Sequence, residues 1–200
     1  MEKVGFRQIK PEIRGIAFDD CAFTRYQKEV FVIGVIYRGG NYLDGMVSTK
    51  INVDGLDSTE KLIACLKNSP HYKQVRVIML NGITLGGFNI VNIQKLFKET
   101  RIPVIAIIRE KPDLESIKKA LKKNFADSKM RISLISKAGA INSLHIKNLS
   151  AQGALHYQKS GIEKSTAEKI IKLTATRSIV PEPLRAAHLI CSGLKTRITS

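Results

Sequence analysis

Between Gln74 and Arg109 the chain reads QVRVIMLNGITLGGFNIVNIQKLFKETRIPVIAIIR, and this stretch restricts the fold more than any other. Val75, Val77, Ile78, Met79 and Leu80 form an apolar run too short for a typical helix, closed by Asn81-Gly82. A second glycine pair, Gly86-Gly87, follows. Ile90, Val91, Ile93, Leu96 and Phe97 then recur at helical spacing, and Pro103 to Ile108 is another short, β-branched run. Strand, glycine loop, helix and strand make a βαβ unit whose strands are buried on both faces. In such units function gathers at the carboxyl ends of the strands. Those ends are Asn81-Gly82 and Arg109-Glu110.

The segments around this unit supply the rest of the sheet. Ile13 to Phe18 reads as a first strand running into Asp19-Asp20, and Val30 to Tyr37 as a strongly apolar second. Arg38-Gly39-Gly40-Asn41 stands in hairpin position before a more alternating third strand, Tyr42 to Val53. The three predict an antiparallel meander. Asp57 or Ser58 then caps a helix whose buried face is Leu62, Ile63 and Leu66. Beyond the βαβ unit, Leu114, Ile117, Leu121 and Phe125 share one helical face, and Ala126 to Ala138 predicts a further helix. Residues 140–149 read as strand or loop, 154–158 as a short strand, 166–173 as helix and 184–194 as the final helix. The expected fold is α/β: a mixed sheet of five or six strands, an antiparallel meander followed by parallel βαβ, with helices on both faces. That order is the ribonuclease-H-like architecture. A chain of 200 residues suits one domain, 1–200, with a core large enough to stand alone.

Charge indicates the partner. The 33 Lys and Arg residues against 17 Asp and Glu give a formal net charge of +16. Such an excess favours a polyanion, nucleic acid first and an anionic membrane surface second; its alternative is a solvated basic background. Lys118, Lys119, Lys122 and Lys123 line one face of the helix after Pro112, beside Arg109 and Lys111, and suit phosphate-backbone contact. No apolar run approaches membrane-spanning length, and the N-terminus lacks a signal-peptide core, so a cytoplasmic location is expected, with no membrane partner. Cys21, Cys65 and Cys191 are scattered without a CxxC, which argues against zinc and for buried thiols. The apolar face of the final helix (Leu184, Ala187, Leu189, Ile190) fits either core burial or a homodimer contact.

Several residues could carry chemistry. Asp19-Asp20 at a strand end is a metal-site candidate, although Asp is also a common turn former. Gly86 and Gly87 could present loop amides to a phosphate or merely serve a tight turn. Phe88 beside them could stack on a base or pack inward over the helix entry. His188, inside the apolar LRAAHLICS, reads as a core or interface histidine before a ligand or base. No G-x-S-x-G elbow, GxGxxG or HExxH is present.

The segments IAFDDCAF, VDGLDSTEKL, LNGITLGGFNIVNI, IPVIAIIREKPDL and PEPLRAAHLICSGL, spread over nearly the whole chain, resemble the archaeal family called domain of unknown function ninety-nine. That family is in turn similar to endonuclease V, a Mg²⁺-dependent nuclease of the ribonuclease-H-like fold that nicks DNA or RNA near deaminated purines. The resemblance implies roles by position. Asp19, with Asp20 adjacent, stands where endonuclease V has a metal-binding Asp at the end of its first strand. Asp54 in VDG stands for a metal-binding Glu, Asn81 in LNG for a third acidic ligand, and Arg109 for a phosphate-facing lysine. A late histidine of the metal site has no match, because Ser160 or a neighbour falls there. The implied cofactor is Mg²⁺ or Mn²⁺, held by Asp19 and Asp54 at a site that has lost charge at residue 81. The expectation is a nucleic-acid-binding protein with an altered metal site. The alternatives are an active endonuclease on damaged or structured nucleic acid and a protein-interaction module.

Overall fold

The apolar run after Arg76 lies at the middle of the sheet. We describe it from a computed structural model covering residues 3–24 and 26–198, with side chains to Leu194. β4 (Val77–Asn81) is fully buried up to Leu80. It runs parallel to β1 (Arg14–Asp20) on one side and β7 (Val104–Ile108) on the other. β1 continues antiparallel into β2 (Glu29–Arg38), and β2 into β3 (Tyr42–Asn52). Beyond β7 come β9 (Gln152–Ser160) and β8 (Asn142–Lys147), each antiparallel to its neighbour. The order is β3-β2-β1-β4-β7-β9-β8 in a seven-stranded sheet.

Seven strands correct the expected five or six. The strand beyond the expected six is β8, in the stretch that reads as strand or loop, and β9 runs longer than the expected 154–158. In β8 only Leu144 and Ile146 are buried, between exposed Ser143, His145 and Lys147, so the apolar signal is thin. β9 extends past its apolar centre because the polar Gln158 and Ser160 are buried against β7. An edge strand with two buried positions, and an inner strand with polar core positions, leave little for a hydrophobic pattern to register.

Helices cover both faces. α1 (Ser58–Lys67) and α2 (Ile93–Thr100) pack together, α1 on β3 and α2 on β7 and β9. α6 (Glu182–Ile198) crosses β1, β2 and β4. A small antiparallel pair, β5 (Thr84–Leu85) and β6 (Asn89–Ile90), spans the glycine loop. α3 (Leu114–Asn124) and α4 (Ser128–Lys137) pack on each other, and α5 (Lys164–Thr174) follows β9. Asn92 and Asp113 cap α2 and α3 through their side chains. Asp57 precedes α1 but makes no cap bond, because its carboxylate is occupied by the Asn52 backbone N–H and the Asn89 amide. In α6, Leu184 and Ala187 are buried, Ile190 is half-buried and Leu189 is exposed. Among the described residues no helix is long and apolar enough to cross a membrane.

Because β1, β4 and β7 are parallel, their carboxyl ends share one edge of the sheet. Asp19, Asp20, Asn81 and Arg109 lie there, and Arg14, Arg76 and Pro103 mark the opposite edge.

Candidate active site

Strand alternation separates the adjacent acids. Side chains alternate across a sheet, so Asp19 and Asp20 leave β1 on opposite faces. Asp19 points under α6 and is 3% exposed. Its Oδ1 accepts a hydrogen bond from Asn81 Nδ2 at 3.0 Å, because the parallel register puts Phe18 beside Leu80 and so Asp19 beside Asn81. Its Oδ2 lies 3.0 Å from His188 Nδ1. The same turn of α6 brings Cys191 Sγ within 3.5 Å of the Asp19 carbonyl oxygen. The carboxylate is buried while the His188 side chain is 58% exposed, so Nε2 is the ring nitrogen left for solvent or a ligand.

Asp20 serves the other face, where Oδ2 accepts the Gly86 N–H at 2.9 Å. Burial raises its carboxyl pKa, the Gly86 N–H opposes that, and the Asp19 charge adds to it. Asp54 also binds this loop. It sits at φ 55°, its N–H donates to the Gly86 carbonyl at 2.8 Å, and its Oδ1 accepts the Phe88 N–H at 2.7 Å. Gly87 lies against that carboxylate at φ 85°, where a Cβ would come within 2.3 Å of Oδ1, so no side chain fits.

A residue that the sequence did not indicate locks these loops together. Arg131 of α4 is only 4% exposed. Nη1 donates to the Phe88 and Gly55 carbonyls at 2.6 and 3.1 Å, Nη2 to the Asp54 carbonyl at 2.9 Å, and Nε to Asp127 at 2.8 Å. Its guanidinium lies 4.3 Å from the Phe125 ring centroid, and Phe88 meets Phe125 edge-on at 5.5 Å. Phe88 therefore packs inward, half-buried. Asn89, fully buried, adds bonds to Ser58 N–H, the Asn52 carbonyl and Asp57.

The basic residues stand at the same edge of the sheet. Arg109 and Lys111 follow β7 and are exposed. On α3, Lys118 pairs with Glu115 at 2.8 Å, and Lys119, Lys122 and Lys123 are exposed. The structure thus brings Asp19 and Asn81 into direct contact and adds His188. Asp20 and Asp54 are joined to each other through the 86–88 loop. Ser160 pairs with Val104, at the amino end of β7, and its buried hydroxyl has no hydrogen-bond partner among the described residues.

A hard divalent cation wants several anionic oxygens. Both Asp19 oxygens are engaged by Asn81 and His188, and one Asp54 oxygen is engaged by the loop. Among the described residues no group of three or more His, Cys, Asp or Glu side chains is arranged to hold a metal ion. The residues as they stand do not fit Mg²⁺ or Mn²⁺.

The family described as Endonuclease dU matches residues 11–195. The chain belongs to the Endonuclease dU family. Archaeal relatives in the same size range include a UPF0215 protein of Methanothermobacter thermautotrophicus, 46% identical over 97% of this chain and 93% of its own. A UPF0215 protein of Thermococcus sibiricus is also 46% identical, over 94% of this chain and 95% of its own. Among solved structures, a protein of unknown function from Archaeoglobus fulgidus superposes with a TM-score of 0.80 at 36% identity, covering 90% of this chain and 97% of that one. Human ENDOV superposes at 0.64 with 14% identity, covering 99% and 92%. Ciona intestinalis endonuclease V, in complex with a 24mer DNA containing an inosine followed by a ribo-adenosine, does so at 0.60 with 14% identity, covering 94% and 87%. At that identity the likeness is one of fold: this Endonuclease dU member has the α/β architecture of endonuclease V.

Proposed function

We propose that this Endonuclease dU member, a ribonuclease-H-like protein, cuts nucleic acid that contains deoxyuridine, using a site at the carboxyl ends of β1 and β4. The family's name supplies the reaction class and the base. One observation in this chain carries the reading: a buried Asp19 fixes Nδ1 of an exposed His188 at the edge where such sheets place their chemistry. A carboxylate so placed sets the tautomer and leaves Nε2 to take a proton. Water attacks the phosphorus and its proton passes to Nε2. One P–O ester bond breaks, with its electron pair leaving on the sugar oxygen, which takes a proton from solvent water. Asp19 stabilises the imidazolium that forms, and Asn81 holds Asp19 from the other side. Arg109, Lys111 and the Lys118, Lys119, Lys122 and Lys123 face hold the phosphates, and the Gly86, Gly87 and Phe88 loop borders the strand. The donor set does not fit a hard cation, so the proton transfer is assigned to the protein's own groups.

Labelled oligonucleotides with one deoxyuridine or with thymidine, single- and double-stranded, test this in Mg²⁺, Mn²⁺ and EDTA. Nicking of the deoxyuridine strand alone, cut about 10²-fold or more by Asp19→Asn and by His188→Ala, is expected. A second reading, binding without cleavage, is favoured by the neutral Asn81 at a strand-end position. It predicts tight binding and no nick under every condition. Equal, weak binding to both oligonucleotides without nicking overturns both readings.

A further inference from the structure

At the opposite edge of the sheet from Asp19, a cavity of about 1230 Å³ opens at the amino ends of β1, β4 and β7. Its walls are the N-terminal segment, the start of β1 and the turn before β4, and its floor is apolar, with Ile13 and Val75 buried. Basic side chains dominate the rim. Arg14 and Arg38 are already held by Asp44, at 2.7 and 2.8 Å, and Arg38 also reaches Glu12, the one acid lining the cavity among the described residues, at 3.6 Å. Arg7, Lys10, Lys73 and Arg76 are exposed and form no ion pair among the described residues. The nearest thing to a partner is the Lys73 carbonyl, which accepts from Arg76 Nη1 at 3.2 Å and brings no charge.

A concave wall of unpaired cations focuses its field into the cavity, and the mutual repulsion is relieved only by a ligand carrying several negative charges. β1 separates this mouth from Asp19, since the run from Arg14 to Asp19 spans about 17 Å at ~3.3 Å per residue. We propose that this cavity is a second anion site that takes a row of linked phosphates. Those phosphates come either from a nucleic-acid strand or from free inorganic polyphosphate. The site is independent of cleavage at Asp19.

The test compares wild type with Lys73→Glu/Arg76→Glu, and with Arg7→Glu/Lys10→Glu as a second pair on a different wall. Far-UV circular dichroism and melting identify a pair that fails to fold, leaving the other to decide. The probes are a fluorescein-labelled single-stranded DNA, read by anisotropy across a salt series, and inorganic tripolyphosphate, read by thermal shift. If a strand occupies the cavity, DNA affinity falls about tenfold and the salt slope shrinks by roughly 0.7 per lost contact, with nicking at saturating DNA unchanged. If the ligand is free polyphosphate, tripolyphosphate raises the melting temperature of wild type and not of the variants, while DNA affinity holds. Unchanged DNA binding together with an unchanged tripolyphosphate shift in a folded variant overturns the proposal. Loss of nicking in Asp19→Asn leaves the anisotropy and thermal-shift readouts in place, which separates failure here from failure at the active site.

Discussion

His188 and Asp19 stand 169 positions apart in the chain, yet Nδ1 of one lies 3.0 Å from Oδ2 of the other. The contact joins the first strand to the last helix. The contact is asymmetric, with a buried carboxylate against an exposed imidazole.

Asp19→Asn should separate stability from activity. An amide has one oxygen, so it cannot accept from both Asn81 and His188 as the carboxylate does. The group left over is exposed in either case and turns to water, so the stability loss should stay under about 1 kcal/mol. The single-turnover nicking rate should fall by about 10²-fold or more. A large drop in melting temperature instead would make Asp19 a structural acid.

Asn81→Asp should create a cation site by adding a carboxylate beside Asp19. Two carboxylates would face each other across the present 3.0 Å contact, and without a counter-ion one of them must take up a proton or move away. The variant should melt lower than wild type in EDTA and be raised by millimolar Mg²⁺, whereas wild type should barely respond. A wild-type Mg²⁺ shift as large as the variant's would contradict the donor-set reasoning.

Arg131→Met should cost about 3–5 kcal/mol, because three loop carbonyls and Asp127 lose one buried donor. Arg131→Lys keeps the charge but not the fork, and should recover only part of that. Hydrogen exchange should rise at the Asp54 and Phe88 amides in both variants. Unchanged protection there would mean that the loops do not depend on Arg131.

Asp20 sets a pH dependence of definite sign. Its carboxyl pKa is raised in the folded state, mainly by burial, above the ordinary value of an aspartate carboxyl. Between those pKa values the folded state binds more protons than the unfolded one, so this group lowers stability as pH rises through that window. Asp20→Asn retains an acceptor for the Gly86 N–H and should flatten that part of the profile, leaving the protein at least as stable at neutral pH. Thermal melts from pH 3 to 7 measure this. A steeper loss in the variant would reverse the sign.

Much of the sheet was readable because it is written in runs that are buried on both sides. Val77 to Leu80 and Val104 to Ile107 have no polar position, and the Asn81 and Arg109 ends followed directly. β8 and β9 were harder, since Gln158 and Ser160 are buried polar residues. The apolar LRAAHLICS reads His188 as a core or interface histidine, and its neighbours Leu184, Ala187 and Cys191 are buried while the imidazole itself is exposed. The helical spacing that puts it beside them was the available signal, but no pattern within the helix names a partner on β1. Arg131 left no trace, since a buried charge on a weakly patterned helix looks like any surface arginine. Its partners are backbone carbonyls, which have no sequence identity at all.

Placing His188 on α6 has a consequence for the order in which the protein becomes competent during synthesis. A domain folds as a unit, and all seven strands precede residue 161. A nascent chain that has not yet made α6 therefore carries Asp19 and Asn81 without the imidazole, and its β1, β2 and β4 lack the helix that covers them. The contact between Asp19 and His188 forms only when the last helix is translated and docked.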